Sequence, residues 1–506
     1  MSDECVAAAL RSPVRLVVIE APGGCGKTFQ ACEYASDAAG TIGAGRVLVL
    51  AHTHAACDVF SSRIADRRRV EVRTIDSLIS QIGSAYCHNL GFPADVAEWA
   101  RKQGNQGYKQ VAERVARLMS ASPMVSTALA RRYPILICDE HQDASAEQHA
   151  VVIAMHNAGA SLRVFGDPMQ HIGKTSKAVR AADVKRWDDL KAQADIYDEL
   201  DHPHRWEKVG TKKLGEWILK ARKTLKDGGK IDLRSGLPLE VSIIFADNQA
   251  QAHGRYILDG TTRRPIDGAT RSSPLLVLSA HNDTVQALRP FFNRAIPVWE
   301  GHTRDALTAL TNAIETCRGD GVSIARATVT FVEEITVGFT RTNYSNMLLD
   351  EVANGCTAKR RKKPALLQEL GKLILAEPDH RGVSKMLARL AHLVQTDDAF
   401  DDIKFDHPRE FREGVLLGQF ETCAEGMTEI SRRRTYARPM PPQRALSTVH
   451  KAKGLETDHV LVMPCDSQHF PDTPAGRCLL YVAISRATHS LTLVVPRSNP
   501  SPLVVT

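Results

Sequence analysis

Residues 16–28 read LVVIEAPGGCGKT, and this stretch decides the fold. Leu16, Val17, Val18 and Ile19 form a short, β-branched apolar run, the pattern of a buried strand. Pro22, Gly23, Gly24 and Gly26 make a glycine turn, Lys27 and Thr28 close it, and Phe29 to Ala35 has the character of a helix. Strand, glycine turn and helix in that order form a phosphate-binding loop. Its glycines let backbone N–H groups converge on an anion, and the helix N-terminus adds partial positive charge. Lys27 would reach the β- and γ-phosphates of a nucleotide, and the Thr28 hydroxyl would ligate Mg²⁺. Ala21 stands where such loops usually place their first glycine, and Cys25 lies inside the turn.

The chain has 506 residues, too many for one ordinary core. Its 43% hydrophobic and 24% charged content is that of a globular protein, with no apolar run of membrane-spanning length. The start, MSDECVAAALRSP, has no basic stretch followed by an apolar core, so no secretory signal is read. Eleven cysteines without a CxxC pair fit reduced thiols in a cytoplasm. A net charge of +7 leans weakly toward a polyanionic partner.

Arg46 to Ala51 is a second apolar strand, Val70 to Val72 a short third, Ile135 to Cys138 a fourth and Leu162 to Phe165 a fifth. Between about 85 and 130 the pattern turns polar and helical, with VAERVARLM the clearest amphipathic segment. A second strand–helix pattern opens with Pro274 to Ser279 and a helix over Val285 to Phe292. It resumes at Ala445 to Val449, His459 to Met463 and Leu491 to Val495. A long, mostly helical stretch, 301–440, separates the two parts and carries the basic run Lys359 to Lys363, read as a solvated loop or a track for a phosphate backbone. The alternation predicts an α/β fold with parallel sheets and chemistry at the carboxyl ends of the strands.

Three further stretches carry chemistry. Asp139-Glu140-His141-Gln142-Asp143 follows a buried strand. Beside a phosphate loop, Asp139 would hold Mg²⁺ and Glu140 would accept a proton from the attacking water. The bland alternative is that such acids cap the next helix. Gln170, in GDPMQ, can both donate and accept, which suits sensing the γ-phosphate. STVHKAKGLE, 447–456, puts hydroxyl, imidazole and ammonium groups at a strand end, and Arg486 of LYVAISRA is placed to act as an arginine finger from a second half. The histidines, His202 and His204 among them, show no metal spacing, and Trp99, Trp187 and Trp299 read as packing residues.

The set APGGCGKT, VLAHTHAA, RTIDSL, ILICDEHQD, VFGDPMQHI, STVHKAKGLE and LLYVAISRATH, in that order, resembles the superfamily 1 helicases of the UvrD/Rep/PcrA type. The resemblance implies two RecA-like parallel-sheet domains, each with a helical insertion. Residues 1–84 with 131–200 would form the first, and 85–130 its insertion. Residues 201–300 with 441–506 would form the second, and 301–440 its insertion. IPVWEGHT, Ile296 to Thr303, resembles the entry to that second insertion.

By position, the resemblance gives ATP and Mg²⁺ to Ala21, Gly23, Gly24, Cys25, Gly26, Lys27, Thr28 and Asp139. Glu140, Gln170, Arg205 and Arg486 would carry hydrolysis, His204 would face the base and Glu456 the ribose. His52, Thr53, Thr74, Thr448 and His450 would lie on the nucleic-acid side. The implied activity is ATP-dependent 3′-to-5′ movement on single-stranded or tailed DNA. The alternative is a nucleic-acid-gated ATPase switch that controls a partner nuclease, because the compact build is also similar to UvrD-like proteins that accompany nucleases in anti-phage systems such as Gabija. Departures from the family are plain. No glutamine precedes Gln30 to read adenine, and His204 replaces a tyrosine. His52 and Gly173-Lys174-Thr175 stand where aromatics usually stack bases, and Asp76 replaces a histidine.

Overall fold

The computed structural model describes residues 2–173, 176–246, 250–252, 255–258, 260–299, 305–436 and 442–506. Lys174, Thr175 and Glu300 to Thr303 lie outside the described residues. The chain forms two units, Met1–Ala100 with Gln106–Trp299 and Met440–Thr506, and Arg101–Asn105 with Glu300–Pro439.

In the first unit the apolar runs become strands because each residue of a run can be buried on one face or the other. Six parallel strands form one sheet: β1 Leu16–Glu20, β2 Val47–Ala51, β3 Val70–Thr74, β4 Ile135–Cys138, β5 Ser161–Gly166 and β6 Ile196–Glu199, in the order β3-β2-β4-β5-β1-β6. Leu16 and Val18 pack into the core on one face, and Val17 and Ile19 into the core on the other. Helices over 87–132 share the first of these cores, where Val96, Val111 and Val115 meet Ile75 and Leu78.

Five parallel strands form the second sheet: β7 Val241–Phe245, β8 Leu275–Ser279, β9 Arg444–Thr448, β10 Thr457–Val462 and β11 Ala487–Val495, in the order β9-β8-β10-β11-β7. Its two faces are filled by Leu276, Leu278, Val460 and Leu491 on one side and Val277, Leu461 and Val494 on the other. Strands β6 and β7 have no counterpart among the sequence-read strands. The first, IYDE, is half polar and pairs only with β1 at the sheet edge. The alternation of two parallel sheets with helices is the expected RecA-like α/β class.

Four helices of the first unit position the site. They are α1 Ser2–Arg11, α2 Lys27–Thr41, α3 Lys212–Lys226 and α4 Pro474–Ile484. The apolar face of α3, with Leu214, Trp217, Ile218 and Leu225, packs into the core of the second sheet.

The second unit is mostly helical. Leu307, Ile324, Val332, Leu367, Met386 and Leu390 form its core. Part of the basic run 359–363 is spent internally: Arg360 pairs with Glu351, and the Lys363 ammonium lies 3.5 Å from the centroid of the Tyr344 ring. Gly338, just after the short strand Thr336–Val337 that pairs with Lys404–Phe405, has φ +91, and a Cβ there would collide with the Asp402 carbonyl. Gly338→Ala should therefore destabilise the protein by about 2 kcal/mol or more. Gly43→Ala, in open space, should leave the melting temperature within a degree or so. Thermal unfolding of the two variants beside the parent checks this.

Candidate active site

The phosphate loop joins β1 to α2. Gly24 and Gly26 have φ +88 and +84, and Gly26 is the N-cap of α2. These conformations turn the chain back on itself and leave no room for side chains. A Cβ on Gly24 would lie 2.9 Å from the Trp206 ring and 3.0 Å from Cβ of Arg205, and one on Gly26 would lie 3.1 Å from the His204 ring. Ala21 is fully buried and its N–H donates to the Gly166 carbonyl, so a methyl group fits where a glycine was expected. Cys25 turns into the core, and burial pushes its thiol up to about 12, which makes it inert packing.

Lys27 opens α2 and reaches across to the end of β4. It pairs with Asp139 at 3.2 Å and with Glu140 more closely. Burial alone would lower the lysine pKa, but the two acids outweigh it and hold it above the ordinary value. Burial would likewise raise Glu140, but Lys27 keeps it below the usual carboxylate range, while Asp139, buried and beside Glu140, is raised. Glu140 sits at φ 51, a strained position that starts a tight turn. Asp139 Oδ1 is buried and accepts no well-formed hydrogen bond. With Thr28 on the next residue of α2, that oxygen suits a divalent cation, so the residues present fit Mg²⁺.

Groups from elsewhere close on the same loop. A Cβ on Gly23 would be 3.2 Å from Gln170 Nε2 and 3.7 Å from Arg486 Nη2. Gln170 is anchored by Asp167 at 2.9 Å. Arg486, fully shielded on the second-sheet side, donates to the carbonyls of Val482 and Leu455 and to the Ser485 hydroxyl. Burial, then the neighbouring Arg205 charge, lowers its pKa to about 10, so it stays cationic at neutral pH. Arg205 donates to the Ser485 carbonyl at 3.0 Å and pairs with Glu456. Lys27, Asp139, Glu140, Gln170, Arg205, Arg486 and Glu456 therefore surround one loop.

The expected nucleic-acid residues are placed differently. Thr53 follows β2, and Thr74 and Thr448 end β3 and β9; each caps the next turn, accepting from the N–H groups of Ala56, Ser77 and Lys451 at 3.1, 3.2 and 3.3 Å. His52 and His450 sit beside them, half-buried. Asp76 accepts from Gln148 Nε2 at 2.7 Å.

Four sets of contacts had no place in the sequence reading. Arg222 of α3 is buried among Glu20, Asp167 and Glu199 at the carboxyl ends of β1, β5 and β6. Tyr481 of α4 accepts from the Gly23 N–H at 3.2 Å. Asp3 of α1 pairs with His204 at 2.8 Å, and its other oxygen is buried without a partner among the described residues. Lys453 pairs with Asp143 at 2.6 and 2.8 Å. The only local signal was the amphipathic face of α3, which marks the helix but not its buried arginine. His202 and His204 do come within 4.8 Å of each other and of Glu207 as possible ligands, against the spacing read from sequence. Each is already paired, however, and the Lys212 ammonium lies 2.8 Å from Glu207, a poor neighbour for a cation.

Comparison with known proteins gives two family matches: an AAA domain over residues 3–232 and a UvrD-like helicase C-terminal domain over residues 445–494. A search of the curated proteins found no match. Among solved structures, the crystal structure of Pif1 helicase from Candida albicans matches at 12% identity, covering 97% of this chain and 93% of that one, with a TM-score of 0.37. That likeness is too loose to bear on function. The two family matches fall on the two halves of the site, the first on the cradle and its acids and the second on the STVHKAKGLE and LLYVAISRATH segments. The chain thus carries an AAA domain and, in its C-terminal part, a UvrD-like helicase C-terminal domain.

Proposed function

We propose that this protein hydrolyses ATP in the crevice between its two sheets and uses the cycle to move 3′-to-5′ on single-stranded DNA. One observation carries this reading: the phosphate loop of the first sheet is faced by an arginine rooted in the second, Arg486, whose Nη2 would lie 3.7 Å from a Cβ placed on Gly23. In the described state Lys27 is paired with Asp139 and Glu140. An incoming triphosphate draws the Lys27 ammonium toward its β- and γ-oxygens and frees both acids. Asp139 and Thr28 would hold Mg²⁺, which supplies charge neutralisation on the phosphate oxygens. Glu140 then takes a proton from water as its oxygen bonds to the γ-phosphorus. The bond to the β–γ bridging oxygen breaks, and ADP leaves with the electron pair. Arg205 and Arg486 balance the charge that develops on the γ-oxygens.

A second reading is favoured by the residues at 52 and 173, where histidine and glycine replace base-stacking aromatics. In it the same ATPase is a nucleic-acid-gated switch for a partner nuclease, as in anti-phage systems of the Gabija kind. Strand displacement separates the two. A motor releases the strand from a 3′-tailed duplex and not from a 5′-tailed one. A switch shows DNA-stimulated phosphate release and frees no strand.

Two variants test the chemistry. Glu140→Gln should retain nucleotide binding and lower phosphate release by about 10²–10⁴-fold, the usual worth of a general base. Arg486→Ala should leave the Kd for ATP within a few-fold and lower kcat by about 10³ or more. Steady-state turnover and fluorescent-nucleotide titration read both, and unchanged kcat in Arg486→Ala removes it from the finger role.

A further inference from the structure

The tight turn that presents Glu140 ends at Asp143, whose N–H donates back to the Glu140 carbonyl at 2.9 Å. Asp143 is where three elements meet. Its carboxylate accepts from Lys453 Nζ at 2.6 and 2.8 Å, and a nitrogen of His171, the residue after Gln170, lies 3.4 Å away. His171 is held in turn by Asp183 at 3.1 Å. Burial would raise the Asp143 pKa, but the hydrogen bond from His171 and the Lys453 charge outweigh it and hold it at about 2. The Asp143 carboxylate is therefore ionised at any ordinary working pH.

Lys453 belongs to the loop that follows β9. Within that loop the Lys453 N–H donates to the His450 carbonyl at 3.3 Å, and the Ala452 N–H donates to the Thr448 carbonyl at 3.0 Å. Thr448 also caps the loop through its hydroxyl. The two residues expected to meet nucleic acid on the second sheet thus set the backbone that carries the Lys453 ammonium. That ammonium grips the far end of the turn that holds the proposed general base. Lys453 is only partly covered, with 26% of its side chain exposed, so the contact can open without unpacking a core.

We infer that Lys453 and Asp143 are positioning residues that couple nucleic-acid binding to ATP turnover, by fixing the Glu140 turn when the Thr448–His450 loop is engaged. This rests on the reading of Glu140 as the base and of Thr448 and His450 as nucleic-acid contacts. Neither Lys453 nor Asp143 touches the reacting atoms. Removing the ion pair should therefore affect the stimulated rate and spare the basal one.

The experiment is ATP turnover by the full chain with and without single-stranded oligodeoxynucleotide, for the parent, Lys453→Met, Lys453→Arg and the exchange Asp143→Lys with Lys453→Asp. Lys453→Met should keep basal kcat within about threefold and lose roughly tenfold of the stimulation, inside the ~5–150-fold typical of coupling between two sites. Lys453→Arg, which keeps the charge, should retain most of the stimulation. The exchange should recover part of what Lys453→Met loses, whereas a merely structural role would lower basal and stimulated rates together. Full stimulation in Lys453→Met, or equal loss of both rates, overturns the inference and leaves the ATPase reading intact. A parent with no stimulation overturns the motor and switch readings and this inference with them.

Discussion

One buried cation ties the nucleotide loop to the opposite sheet. Arg222 projects from α3, whose apolar face belongs to the core of the second sheet. Its guanidinium ends among Glu20, Asp167 and Glu199, with side-chain exposure of only 3%. Burial would raise the Glu20 carboxyl, but Arg222 and Lys226 outweigh it and hold it below the usual range. Breaking one partner of such a group costs about 3–5 kcal/mol, because the remaining charges stay buried. Glu20 ends the strand that enters the phosphate loop, and Asp167 anchors Gln170. The cluster thus sets where the cradle and the γ-phosphate sensor stand relative to α3.

Everything that lines the cradle depends on that placement. Trp206, fully buried, donates its indole N–H to the Ala487 carbonyl at 2.7 Å and backs Gly24. Tyr481 meets the Gly23 N–H, and Arg486 lies one turn further along the same segment. These contacts leave the loop glycines no freedom to be anything else. They also place Arg486 at the loop without an acid partner among its hydrogen bonds, while Asp139 and Glu140 pair with Lys27.

Much of this was legible in the sequence where local chemistry decides the outcome. LVVIE, VLVLA and LLVLS are wholly apolar or nearly so and could only be buried strands. The glycine turn and the acids after β4 were legible because phosphate and cation chemistry restrict the residue types. IYDE was not, since an edge strand needs no apolar run and its Glu199 serves Arg222. Arg222 itself reads as one cation among many in KKLGEWILKARKTLK until tertiary packing buries it. Asp143 and Lys453 lie 310 residues apart, and no local pattern links them. Thr53 and Thr74 could have been read as caps of the helices they precede, which is what the structure makes of them.

The central claim is that one triphosphate is gripped from both sheets at once. Hydrogen exchange of Glu140→Gln with and without ATP tests this most directly. Simultaneous protection of peptides over 21–30 and over 478–487 is the predicted result. Protection confined to 21–30, with 478–487 exchanging as it does without nucleotide, would contradict the account.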